Sequence, residues 1–137
     1  MEWIWADGWI LMSIYLTQGN EGAQLHDIIA AADGTNHAIP TTQELCKSLT
    51  KFVQGELVTL INNRYIISTN FIPSIRKAYE SKGGLFESGN KGLKWLKKSG
   101  IISKNNNQIK LSDSEVKSSY LKYIEMIHGK KGARNNP

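Results

Sequence analysis

The sequence predicts an α+β fold that is mainly α: three helices, a two-stranded hairpin and a helical remainder. Three observations carry that prediction. Apolar-periodic stretches near 7–17, 25–33 and 42–54 are bounded by capping or breaker residues. Two runs rich in β-branched and aromatic residues, Leu57–Ile61 and Tyr65–Ser68, flank Asn62-Asn63, a pair suited to a tight turn with positive φ. The chain has 137 residues, 40% of them hydrophobic, enough to bury a core of its own.

In order along the chain, Asp7 can cap a first helix running to Thr17. Trp9, Ile10, Met12, Ser13 and Leu16 give it a broad apolar face, so it should be well buried. Gly19-Asn20-Glu21-Gly22 makes a turn. Leu25, Ile28, Ile29 and Ala32 mark a short second helix that stops near Asp33-Gly34. A loop over 33–41 follows, in which Pro40 biases Ile39 away from helix. Thr41-Thr42-Gln43-Glu44 is a capping box that opens a third helix, with Leu45, Leu49, Phe52 and Val53 as its buried stripe and Gly55 as its stop. After the hairpin, Phe71–Ser81 reads as a helix with Pro73 in its first turn, broken by Gly83-Gly84.

The pattern then recurs at an offset of 44 positions, pairing Leu49 with Leu93, Leu57-Val58 with Ile101-Ile102, Asn62-Asn63 with Asn106-Asn107, and Tyr79 with Tyr123. A true repeat and merely shared architecture both account for the match. Either way it predicts a second hairpin, with strands near 101–104 and 108–111 turning at Asn105–Asn107. The expected organisation is therefore a first domain over 1–82, a C-terminal helix–hairpin–helix extension over 83–128, and a disordered basic tail over 129–137.

Charge is unevenly placed. Residues 1–40 carry Glu2, Asp7, Glu21, Asp27 and Asp33 and no Lys or Arg, whereas all 17 basic side chains and the other seven acidic ones follow. An anionic partner suits the later part; solvated lysine-rich faces are the plainer explanation. No apolar run approaches the roughly 20 residues of a membrane span. The apolar N-terminus has no Lys or Arg before it and carries Glu2 and Asp7, so neither a targeting signal nor a membrane partner is expected. The single Cys46 excludes an intrachain disulfide and fits a cytoplasmic location. Beside the Leu45/Leu49 stripe, it reads as a small hydrophobe.

Helix, helix, capped helix, then a hairpin ending in Ser-Thr before another helix: this order resembles the winged-helix branch of the helix-turn-helix superfamily, and bacterial regulators of the MarR and PadR type in particular. The residues that carry the resemblance are Leu25–Asp33, Pro40-Thr41-Thr42-Gln43-Glu44-Leu45, Gly55-Glu56-Leu57-Val58 and Arg64-Tyr65-Ile66-Ile67-Ser68-Thr69. It covers about residues 7–82 and implies a third helix that reads the DNA major groove and a hairpin wing that touches backbone or minor groove. The connection at 33–41 departs from it, being longer than the 3–4-residue turn of a simple helix-turn-helix.

On that reading, Thr42, Gln43, Lys47, Thr50, Lys51 and Gln54 form the reading face of the third helix, since Gln can pair with adenine and Lys with guanine or phosphate. Asn62, Asn63 and Arg64 would be wing contacts. Lys91, Lys94, Lys97 and Lys98 crowd one short helix and offer phosphate contacts. Trp3, Trp5 and Trp9 suit either a core or a dimer face, so a homodimer is an expectation as well. His26 and Asp27, with Asp33 and His37 nearby, make no shared metal site, because adjacent helical residues diverge. No phosphate-cradling glycine loop or nucleophile motif is present. The expected function is thus double-stranded DNA binding, as in a transcriptional regulator, without cofactor or catalysis. The competing reading is a winged-helix module that binds protein through the same surfaces.

Overall fold

The structure, a computed structural model, describes the backbone of residues 1–135 and the side chains of residues 1–129. Helices α1 (Trp5–Thr17), α2 (Leu25–Asn36) and α3 (Thr42–Gln54) precede strands β1 (Val58–Ile61) and β2 (Arg64–Ile67). Helices α4 (Ile72–Tyr79), α5 (Ser88–Lys98) and α6 (Asp113–Asn135) follow. The fold is therefore mainly helical with one small antiparallel sheet. No helix among the described residues is long and apolar enough to cross a membrane.

α1 is the central element. Ile10, Leu11, Met12 and Ile14 are fully buried, whereas Leu16 lies on the surface. The helix begins two residues before Asp7. That carboxylate sits one turn in and accepts from the Ile4 N–H at 2.8 Å, a capping interaction made from inside the helix. α2 continues past Gly34 to Asn36 and ends where His37 turns left-handed at φ 54°. The Thr35 hydroxyl returns to the Ala31 and Ala32 carbonyls at 3.0 and 3.2 Å, and this last turn is helical where the sequence suggested loop. The link to α3 is consequently only His37–Thr41, closer to a helix-turn-helix connection than the expected 33–41.

α3 spans the expected residues, and its capping box is formed: Thr41 Oγ1 accepts from the Glu44 N–H at 3.0 Å while Glu44 accepts from the Thr41 N–H at 2.9 Å. Gly55 keeps φ −83° and the left-handed position passes to Glu56, at φ 56°. A Cβ on Gly55 would collide with Ile101, so the glycine is there for room. The hairpin also forms as expected, pairing Val58 with Ile67 through Ile61 with Arg64 around Asn62 and Asn63 at φ 52° and 60°. Ala23 exchanges both backbone hydrogen bonds with Tyr65 at 2.8 Å, covering the outer edge of β2 and leaving β1 with the free edge.

The second half departs from expectation. Residues 100–112 contain no strand; they run as an extended strap beside α3. The Lys104 N–H donates to the Gln54 carbonyl at 2.7 Å, and Asn105 Nδ2 donates to the Val53 carbonyl at 3.2 Å. Gln54, Thr50 and Cys46 bond to Asn107, Ile109 and Leu111 in turn. One helical turn advances about 5.4 Å and two extended residues about 6.6 Å, so the helix can be matched rung by rung. A hairpin would leave these groups unpaired, and Ile101, Ile109 and Leu111, whose spacing suggested a strand, instead pack onto the core. The 44-residue match therefore yields no second hairpin.

α5 and α6 do not form a separate layer. α5 lies along α1, α6 along α2, and Leu96 and Val116 belong to the same buried cluster as Ile10 and Phe52. α1 and α5 meet backbone to backbone: a Cβ on Gly8 would collide with the main chain of Gly89, Gly92 and Leu93, and one on Gly92 with that of Gly8. Of the segment expected as a disordered tail, 129–137, α6 takes in the part to Asn135; the remainder lies outside the described residues.

Candidate nucleic-acid interface

The polar residues of α3 have three different fates. Gln43 and Lys47 are exposed, and Thr42 is half-buried in the first turn. Thr50 and Gln54 are occupied by the strap: Thr50 Oγ1 accepts from the Ile109 N–H at 2.9 Å, and Gln54 Nε2 donates to the Asn107 carbonyl at 3.0 Å. Lys51 turns inward. Its Nζ lies 2.7 Å from Asp7 Oδ2, donates to the Glu2 carbonyl at 2.9 Å and stands 5.9 Å from the Trp3 ring centre. Asp7 is wholly buried and also accepts from Ser48 Oγ at 2.7 Å. Lys51 is thus the counter-ion of a buried carboxylate, and such a charge loses several kcal/mol when its partner leaves. Three of the six side chains placed on a reading face are therefore committed within the molecule.

At the hairpin tip, Asn62 and Asn63 are exposed, while Arg64 is half-buried and its guanidinium donates to the Gly22 carbonyl at 3.2 Å. The tip is apolar as much as polar: Leu60 is 39% and Ile61 57% exposed.

The lysines of α5 belong to a groove shared with α4. Spacings of i, i+3, i+4 and i+7 on α5 bring Lys91, Lys94, Trp95 and Lys98 to one face, opposite Phe71, Ser74, Lys77 and Ala78. The cavity measures about 610 Å³, and no carboxylate is among its lining residues. Among the described residues the ion pairs made by lysine or arginine are Lys51–Asp7 and Lys104–Glu56, so the four groove lysines are unneutralised by either of them. Lys91 is fixed, donating to the Tyr79 and Gly83 carbonyls at 2.9 and 2.8 Å. Lys77, Lys94 and Lys98 are exposed. Trp95 meets Phe71 edge to face, with centres 5.7 Å apart at 85°, and its Nε1 donates to Ser74 Oγ at 3.0 Å. Lys97 is exposed on α5 without lining the groove. Sequence reading picked out the α5 lysines but missed Lys77, Phe71 and Trp95. The signal was present in the matching helical spacing of the two segments.

A second cavity of about 600 Å³ lies between the start of α2, the hairpin, the strap and α6, lined by His26, Tyr65, Lys110, Glu115 and Lys122 among others. Burial, helped by the nearby Cys46 and Glu115, pushes the Tyr65 hydroxyl up to about 12. The hairpin tip and the α5 lysines line different cavities: Arg64 and Asn62 border a small hollow with Glu21, apart from the α4–α5 groove.

No protein-family model matches this chain, and no curated protein or solved structure matches it significantly.

Proposed function

We propose that this chain acts by binding DNA, and that it grips phosphates through the α4–α5 groove more than it reads bases with α3. The observation that carries the reading is the groove itself: Lys77, Lys91, Lys94 and Lys98 converge with no carboxylate between them. Unneutralised lysines in a concavity favour a polyanion, and their contacts release counterions from phosphate. Gln43 and Lys47 remain free to touch a base edge or backbone, but three of their neighbours are held by Asp7 and the strap. That arrangement fits weak sequence preference. A role in transcription regulation, and a dimer that would double the grip, belong to the same proposal.

The test is a titration of full-length protein against random duplex DNA at several salt concentrations. Binding should weaken steeply with salt. Replacing Lys94 and Lys98 by Ala should flatten the slope by roughly one unit for each phosphate no longer neutralised. Absence of binding at low salt would defeat the reading. The module that binds protein would then lead, supported by the exposed Leu60 and Ile61 on the free edge of β1.

A further inference from the structure

We infer that the α4–α5 groove takes an unpaired strand in preference to a duplex. This rests on the binding reading above and narrows its ligand. The first argument is size. A cavity of about 610 Å³ between two helices is of small-ligand scale, in the roughly 300–1,000 Å³ range of pockets that surround small molecules. A duplex, whose major groove alone is about 12 Å wide, can only lie across the rim. A flexible strand can lower individual bases into the cleft.

The second argument is the chemistry of the walls. Trp95 and Phe71 line the cavity, and Ser74 fixes the indole by its Nε1 hydrogen bond while the Phe71 edge abuts it. A ring held in place loses little entropy on stacking, and every base presents a π-face. The Ser74, Ser81 and Ser99 hydroxyls donate to the Phe71, Ala78 and Leu96 carbonyls, so the polar reach of the walls comes from Lys77, Lys94 and Lys98, which are exposed. Together these make a stacking platform edged by cations. A duplex has its bases already stacked and would use only the cations; an unpaired strand uses both. Lys91, bonded to two carbonyls, contributes a fixed positive charge and holds the 79–83 turn against α5.

The experiment compares two probes on full-length protein: a labelled oligothymidine of about 12 nucleotides, within the usual site size for such surfaces, and the same strand annealed to its complement. The single strand should bind about tenfold or more tightly at matched salt, the effect of one stacked base. Trp95→Ala should remove that preference, lowering single-strand affinity about tenfold more than duplex affinity. Trp95→Leu, which retains bulk against Phe71, provides the same readout if the alanine variant loses its fold by circular dichroism. Lys94→Ala with Lys98→Ala should weaken both probes together. Equal or tighter binding of the duplex overturns this inference while leaving the phosphate grip intact, as does a strand preference that survives Trp95→Leu. Failure of both probes at low salt defeats the earlier reading as well.

Discussion

Lys51 illustrates how a residue's role can be invisible in its own neighbourhood. By spacing it belongs to the polar face of α3, beside Lys47. What captures it is Asp7, 44 positions earlier in the chain, which packing has stripped of water. No local pattern announces that pairing, whereas the Thr41–Glu44 box was legible because both partners lie within one helical turn. Replacing Lys51 by Ala leaves the Asp7 carboxylate with Ser48 and the Ile4 amide alone, and should lower unfolding free energy by about 3 kcal/mol in urea titrations. The same change at Lys47, exposed and absent from the ion pairs described, should alter stability by less than about 0.5 kcal/mol. Tyr65 sets an alkaline limit. Its folded pKa, about 12, lies above the ordinary 10, so the unfolded chain ionises first. The neutral ring's contribution is whole below pH 10 and is lost as pH rises from 10 towards 12. Tyr65→Phe should remove that part of the pH dependence, as followed by denaturant midpoints across the interval.

The elements were legible where local rules and tertiary structure agreed. α3 and the first hairpin have strong signals of their own, a capping box and an Asn-Asn turn, and both form as read. Residues 101–112 have similar apolar alternation but a different partner. Their backbone groups find α3 before they find one another, and alternation alone does not say which edge a strand-like segment will use. The strap should therefore depend on side chains of α3. Thr50→Val removes the hydroxyl that bonds the Ile109 amide and should cost about 1–2 kcal/mol, with faster amide exchange at Ile109. The α1–α5 contact is less forgiving. A methyl at Gly8 or Gly92 meets main chain rather than a side chain that can swing aside, so Gly8→Ala or Gly92→Ala should force the helices apart. A destabilisation of about 3 kcal/mol or more is expected, as for severe overpacking, visible as a large fall in Tm.

At the scale of the whole molecule, the division expected after residue 82 was drawn where Gly83-Gly84 interrupts the pattern. The glycines do break the chain between α4 and α5, yet the core ignores them. Composition and periodicity locate elements but not which faces meet, and the α4–α5 groove was missed for the same reason: its two walls come from opposite sides of that break. A fragment of residues 1–82 would expose the faces of α1 and α3 that α5 and the strap cover. It should lack a cooperative thermal transition by circular dichroism, whereas residues 1–129 should retain one.

The contact between Gly8 and Gly92 also bears on how the protein is made. Translation delivers the chain from its N-terminus at about 5–20 residues per second, so α1 leaves the ribosome several seconds before the helix it must pack against. During that interval the face of α1 around Gly8 and Trp5, which α5 covers, has no final partner. Such a segment suits chaperones that scan nascent chains, and ribosome-bound chains halted before α5 has emerged should be bound by them more strongly than chains halted after it.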